Sequence, residues 1–332
     1  LNDFGTVDYF AVQTLTTGIF SIWLESYDPG GAAQLAVLAA LIVAGLLGVE
    51  KIGRRRARFH KSGRQLAPIQ PQPLSSRQGA AVLLYCLVPM GLGFLIPLMV
   101  LVAPVVSDLS LWSDTGLWRA AAHSLALGGA SAGLVVTLAT VMVLGLQKTP
   151  AAWRKSLLTL TTVGYAFPGA VLGLGILIPL ATFDNWLADL VFATFRRDPG
   201  LLLTGSAGAL IVAYCVRFFA IGVGAAEAGL AAISTNIPLA ASTLGRGPKD
   251  VLVNIYQPLM RGSLASAMVL VFVDTVKELP ATLLLRPFNF DTLSTHVYAQ
   301  ASLENFHGST PAALLIITLS LGAIFLLAKA HR

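Results

Sequence analysis

Charge is what this sequence has least of. Of its 332 residues, 22 are Lys or Arg and 16 are Asp or Glu, so 11% of the chain is charged, against about 25% in soluble domains. With 55% hydrophobic residues and a mean hydropathy of +0.75, that scarcity excludes an ordinary soluble globular domain and places the chain among membrane proteins. Cysteine is nearly absent as well. Cys86 and Cys215 both sit inside apolar runs, which argues against a disulfide and suits two plain small hydrophobes. No stretch reads G-x-x-x-x-G-K-[ST], so the chain carries no phosphate-cradling loop of that kind. Gly245-Arg246-Gly247-Pro248-Lys249 is basic and glycine-bearing but lacks the length and the preceding strand. His60, His123, His296, His307 and His331 are scattered without ligand spacing. No metal, cofactor or catalytic group is expected. The formal charge of +6 does not point to nucleic acid, because the cations lie between apolar segments and not along one face.

What the sequence has in abundance is long apolar runs. A helix needs roughly 20 apolar residues to cross a bilayer. Seven runs qualify: 31–50, 79–106, 120–146, 156–182, 202–224, 263–284 and 311–329. In lipid the backbone must satisfy its own hydrogen bonds, and continuous runs without alternation exclude a β-barrel. The expected fold is therefore an all-α polytopic membrane protein with about seven transmembrane helices. Pro89, Pro97, Pro168 and Pro179 are tolerable kinks in such helices.

Lys and Arg set the orientation. The segment 51–78 holds Lys51, Arg54, Arg55, Arg56, Arg58, Lys61, Arg64 and Arg77, whereas residues 1–30 hold no Lys or Arg. By the positive-inside rule 51–78 is cytoplasmic and the first 30 residues lie outside. Alternation then puts 147–155, 225–262 and the Lys329–Arg332 tail inside, with Asp108, Asp114, Asp184 and Asp189 in outer loops. Only Arg196 and Arg197 run against the trend. Arg217 reads as a snorkelling side chain or an ion-pair partner near the inner end of its helix. His123 reads as a packing histidine, and 128–133 (Gly-Gly-Ala-Ser-Ala-Gly) as a place where helices approach closely.

The ends of the chain resemble each other. Thr14-Leu15-Thr16-Thr17, an amphipathic stretch and Ala32-Ala33 opening an apolar span are matched by Thr292-Leu293-Ser294-Thr295, a similar stretch and Ala312-Ala313. The offset is near 278 with a small gap. Both copies start outside and end inside, as in folds built from two like halves around an axis along the membrane normal. The chain opens on Leu1 and not Met. Residues 1–50 are accordingly read as the tail of a first half, 51–78 as a basic, Pro-rich linker, and 79–332 as a second half.

The most telling segment is the inner loop 236–258. Asn236-Ile237-Pro238 is read as a break, Leu239–Leu244 as a helix, Gly245 and Gly247-Pro248 as a turn, and Asp250–Tyr256 as a second helix. Val251, Leu252 and Ile255 fall on one face of that helix. On pattern alone such a stripe can pack on the chain's own helix ends.

The spacing resembles the loop of binding-protein-dependent ABC importer permeases, E-A-A-x-x-x-G, nine residues, then I-x-L-P. Ala240, Ala241, Gly245, Ile255 and Pro258 match, with nine residues between Gly245 and Ile255; Leu239 stands in place of Glu and Gln257 in place of Leu. The missing Glu puts any charged contact at position 239 in doubt. Four further stretches resemble the fused, two-half permeases for ferric iron: Gly164–Gly169, Glu227–Leu230, Lys277–Thr282 and Arg286–Leu293. Asp3-Phe4-Gly5 and Thr16–Ile19 are similar to the end of that family's first half.

The resemblance implies a multi-pass subunit of the bacterial inner membrane that binds two copies of an ABC ATPase inside and a periplasmic solute-binding protein outside. It implies one helix from a first half plus a six-helix second half. It makes 236–258 a coupling helix, with Leu239, Ala240, Ala241, Gly245, Ile255 and Pro258 at the ATPase contact, and it implies ferric iron as the solute. Permeases for thiamine, polyamines, sulfate or phosphonates share the architecture. A membrane-embedded channel or enzyme would need clustered polar residues at one depth, and the sequence offers Asp274 and Glu278 alone. Those two, with Tyr165, are candidates to line the path. They can equally pair with Lys277 or Arg217 and hold helices together, and this pairing is preferred because such an importer must release its solute.

Overall fold

The computed structural model describes residues 3–56, 73–234 and 236–330. The greater part of the expected linker, 57–72, lies outside the described residues. Two short outer helices, α1 (Gly5–Tyr9) and α2 (Leu15–Leu24), lead into the first span, α3 (Pro29–Arg56). Next come α4 (Ser76–Met90), α5 (Ile96–Ser107), α6 (Thr115–Gly145), α7 (Ala151–Thr161), α8 (Val163–Ala166), α9 (Gly169–Phe195) and α10 (Ala207–Ala231). The remainder is α11 (Asn236–Thr243), α12 (Pro248–Val251), α13 (Gln257–Val276), α14 (Pro280–Leu285), α15 (Leu293–Ser302) and α16 (Phe306–Ala330). Among the described residues every regular element is a helix, and seven are long and apolar enough to cross a membrane.

Two spans differ from the sequence-based bounds. The run expected over 156–182 is broken. Pro168 has no N–H to donate and forces Phe167 into an extended conformation, φ −77° and ψ 141°. The segment before the break is the exposed inner helix α7, and the span proper is α9, thirteen residues further along than expected at each end. Asp184 and Asp189 therefore belong to α9 and not to a loop. The run expected over 263–284 likewise stops at Lys277. Its apolar tail is the separate helix α14, which packs on α9.

The helices α6, α10 and α13 pack pairwise into the centre of the body. Close approach is achieved with small residues, since lipid supplies no hydrophobic drive between helices. A Cβ on Gly128 would come within 2.9 Å of Phe272, and one on Gly222 within 2.9 Å of Ala139 and Val135. At the periphery, the continuous helix formed by α4, a π-helical segment Gly91–Leu95 and α5 contacts mainly α16. Pro97 follows that π segment, whose wider turn accommodates the ring and the missing N–H.

The resemblance of the two ends is visible in three dimensions. Thr14 caps α2 and Thr292 caps α15 through the same capping box, with Thr17 and Thr295 reaching back. Just beyond each helix sits a left-handed residue, Tyr27 (φ 52°) and Glu304 (φ 57°). Next, Asp28 accepts from the Gly31 N–H at 3.0 Å and Asn305 from the Gly308 N–H at 3.1 Å. The first match needs an offset of 278 and the last two an offset of 277, whereas the expected pairing of Ala32-Ala33 with Ala312-Ala313 needs 280, so the gap falls the other way. The N-terminal piece does not stand apart: Ile19, Phe20, Ala32 and Ala36 share a core cluster with Leu174, Leu210 and Phe218. Tyr298 of α15 also donates to Asp8 at 2.9 Å, and burial together with Asp8 pushes its phenol up to about 12, so it remains a donor at neutral pH.

Candidate functional site

The inner loop forms a helix–turn–helix, with its parts differently bounded from the sequence reading. Pro238 does not break the chain; it sits in the first turn of α11, where a missing N–H costs nothing. The turn at Gly245 is a Schellman cap. Its N–H donates to the Ser242 carbonyl at 3.1 Å, and the Arg246 N–H donates to Ala241 at 3.1 Å. Gly245 has φ +81°, a region open to glycine and costly for β-branched residues. The second helix is not separate. α12, a π-helical segment Leu252–Tyr256 and α13 run on without a break, and the π turn precedes Pro258, as the one before Pro97 does. Asp250 lies in the first turn of α12 and pairs with Arg246 at 2.6 Å.

Exposure divides the candidate loop residues. Ala241 and Val251 are buried and Ile255 is half-buried, so these pack the loop onto its own helices. Leu239, Ala240 and Leu252 are exposed, and Leu244 is 83% exposed. The expected stripe of Val251, Leu252 and Ile255 thus splits, with Leu252 turned outward. Beside the loop is a cavity of about 820 Å³ lined in part by Arg154, Glu227, Leu239 and Tyr256. Arg154 and Glu227, 3.9 Å apart, tie α7 to α10 across it.

The second feature is a buried polar joint. Arg217 is not near the inner end of α10 but eleven residues into its 25, and it does not snorkel. Its Nε lies 3.5 Å from Glu278 Oε1, and its Nη1 donates to the Phe167 carbonyl at 3.4 Å. Glu278 lies beyond the end of α13 and its carboxylate accepts from the N–H groups of Ala281 and Thr282, at 3.5 and 3.4 Å, which caps α14. Thr282 bonds Tyr214 at 2.6 Å, and Ser294 donates to the Glu278 carbonyl at 2.6 Å. One carboxylate thus joins α10, α13, α14 and the break between α8 and α9.

Two glycines make room for the joint. A Cβ on Gly169 would stand 2.5 Å from Glu278 Oε1 and 2.9 Å from Arg217 Nη1, and one on Gly164 2.2 Å from the Val216 carbonyl oxygen. Asp274 and Glu278 do not act as a pair on one helix face. Asp274 is bound to Lys277 at 2.8 Å, and Glu278 is held by Arg217. Both nevertheless border one cavity of about 280 Å³, with Tyr165 on its rim. Among its walls each carboxylate already has a cation, so a bare metal ion entering it meets no free acidic ligand.

Other sequence expectations fall into place. His123 Nδ1 contacts the Asp291 carbonyl at 2.9 Å and its ring stacks on Phe290 at 3.9 Å. Sequence reasoning missed Asp184, which is fully buried and accepts from the N–H groups of Leu202, Leu203 and Thr204 at 2.8–3.0 Å. It holds the outer loop after α9. Nothing in the sequence marks that tie, since Asp184 reads there as one acid of an outer loop.

The fold is similar to that of chains in solved ABC transporter structures. A chain in the crystal structure of a bacterial alginate ABC transporter, in complex with an alginate pentasaccharide-bound periplasmic protein, has this fold with a TM-score of 0.62. At 15% identity the match covers 76% of this chain and 93% of that one. A second alginate ABC transporter structure gives a TM-score of 0.59 at 14% identity, with 76% and 96% covered.

In sequence the chain is similar to transport-system permease proteins. It is 27% identical over 99% of its length to the Fe(3+)-transport system permease protein FbpB 2 of Haemophilus influenzae, and spans 63% of that protein. It is 24% identical to the putative 2-aminoethylphosphonate transport system permease protein PhnV of Salmonella typhimurium, over 61% of this chain and 71% of that one. No protein-family profile matches. The chain is a multi-pass protein of the bacterial inner membrane, as its seven spans and these relatives indicate.

Proposed function

We propose that this chain is the membrane-spanning transport part of an ATP-driven importer, and that its solute is ferric iron. Residues 1–50 are the tail of a first half, 51–78 the linker and 79–332 the second half. A solute-binding protein delivers from outside, and two copies of a separate ATPase subunit supply the energy inside. The observation that carries this reading is the loop at Gly245. It presents Leu239 and Leu244 on the inner side, and its second arm is continuous with α13. A push on the loop is therefore delivered to α13 and, at the far end of α13, to the Arg217–Glu278 joint and the cavity beside it. The paired state of Asp274 and Glu278 suits a path that passes a cation without retaining it.

Iron is supported by the ferric-transport relative, and the phosphonate relative gives the second reading. Uptake of radiolabelled ferric iron, in cells lacking other iron importers, separates them. With the complete transport system supplied, iron accumulation is expected to require this chain and to be unaffected by excess 2-aminoethylphosphonate. Asp274→Asn is expected to leave uptake close to wild type, because an ion pair with so exposed a lysine contributes little. Iron uptake independent of the chain would remove the iron assignment.

A further inference from the structure

The α6–α13 seam has a second face, turned away from α10. Near the outer side it is closed by α16, where Ala312 and Leu315 pack with Leu117 and Val276. Toward the inner side α16 departs, leaving Ile324, Phe325 and Leu326 exposed. The departure leaves a groove of about 550 Å³. Its walls are two helical ridges, Thr137, Thr140 and Leu144 on α6 facing Arg261, Leu264 and Met268 on α13.

Three properties limit the occupant. The groove opens sideways between membrane-spanning helices at the level of the inner leaflet, by the orientation the Lys and Arg residues set. Its floor is apolar and no Asp or Glu lines it. In its inner half, one turn further out than Gln257, is Arg261, whose guanidinium pairs with no carboxylate among the described residues.

We infer that this groove is a binding site for one anionic phospholipid of the inner leaflet. An acyl chain lies along the seam and the phosphate is held by Arg261. A guanidinium with no acidic neighbour favours a headgroup of net negative charge over a zwitterionic one, whose ammonium finds no carboxylate here. The site involves the first turns of α13, directly after the loop, so the lipid is a contact of the moving arm. The inference does not depend on which solute is carried.

Native mass spectrometry of the purified chain tests it, after exchange into equal amounts of phosphatidylglycerol and phosphatidylcholine of the same acyl length. One phosphatidylglycerol is expected to be retained, preferred by about fivefold, the preference one cation near the surface supplies. Arg261→Gln is expected to bring the preference to parity. Thr137→Trp, at an exposed wall position that needs no core rearrangement, is expected to displace both lipids. Arg196→Gln, on the outer side, is expected to change neither. Equal retention by the wild type, unchanged retention in both groove variants, or an equal loss with Arg196→Gln would each overturn the site.

Discussion

Arg217→Met is expected to be the most damaging single substitution in the membrane body. Arg217 and Glu278 are 7% and 5% exposed. Removing one partner of such a pair leaves the other charge buried and uncompensated, at a cost of about 3–5 kcal/mol. The stranded Glu278 is also the group that caps α14 and, through Thr282, engages Tyr214. The loss should spread to every element meeting there. In detergent the variant should unfold well below the wild type, and its level in the membrane should fall. The companion variant Arg217→Met/Glu278→Gln should recover part of the loss, because Gln keeps the length and an acceptor for the α14 N–H groups without the charge. Equal stability of Arg217→Met and wild type would show that the pair does not hold these helices together. Failure of the double variant to improve on the single one would place the cost in lost packing of the Arg side chain instead.

Gly245→Val is expected to reduce uptake by tenfold or more while the protein still inserts and accumulates. No atom lies within 4 Å of a Cβ built at Gly245, so the substitution causes no clash. The cost is confined to the backbone, where φ +81° is an outlier for a β-branched residue and costs about 1–3 kcal/mol. That is enough to open the Schellman turn and re-aim α11 relative to α12, and too little to unfold seven spans. Gly245→Asn separates strain from bulk, since Asn tolerates the left-handed region and should keep much of the uptake. Normal transport by Gly245→Val would exclude a force-bearing role for the turn.

The existence of the spans and the turn at Gly245 were legible because each rests on a local rule. Apolar length marks a helix in lipid, and glycine marks a left-handed turn. The offset repeat was legible for the same reason, as Thr14 and Thr292 write the same capping box in four residues. Span boundaries failed where an apolar run conceals a break. Phe167-Pro168 and Lys277–Pro280 interrupt runs whose hydropathy continues across them, and proline in a membrane helix reads equally as a kink. The joint was half legible. Arg217, Asp274 and Glu278 stand out as charges in apolar surroundings, but their pairing depends on α13 ending at mid-depth of α10. Tyr214–Thr282 and the Asp184 loop tie could not be read, because hydroxyls and carboxylates carry no mark of a partner 18–68 residues away.

In the proposed function, the loop 236–258 is where another subunit pushes. A photo-reactive amino acid placed at Leu244, the most exposed apolar side chain of the loop, reads that contact directly in membranes containing the whole transport system. A crosslink to an ATP-hydrolysing subunit is expected, one whose yield changes when ATP is bound and hydrolysis blocked. Crosslinking to lipid alone, with Leu239 giving the same result, would contradict it.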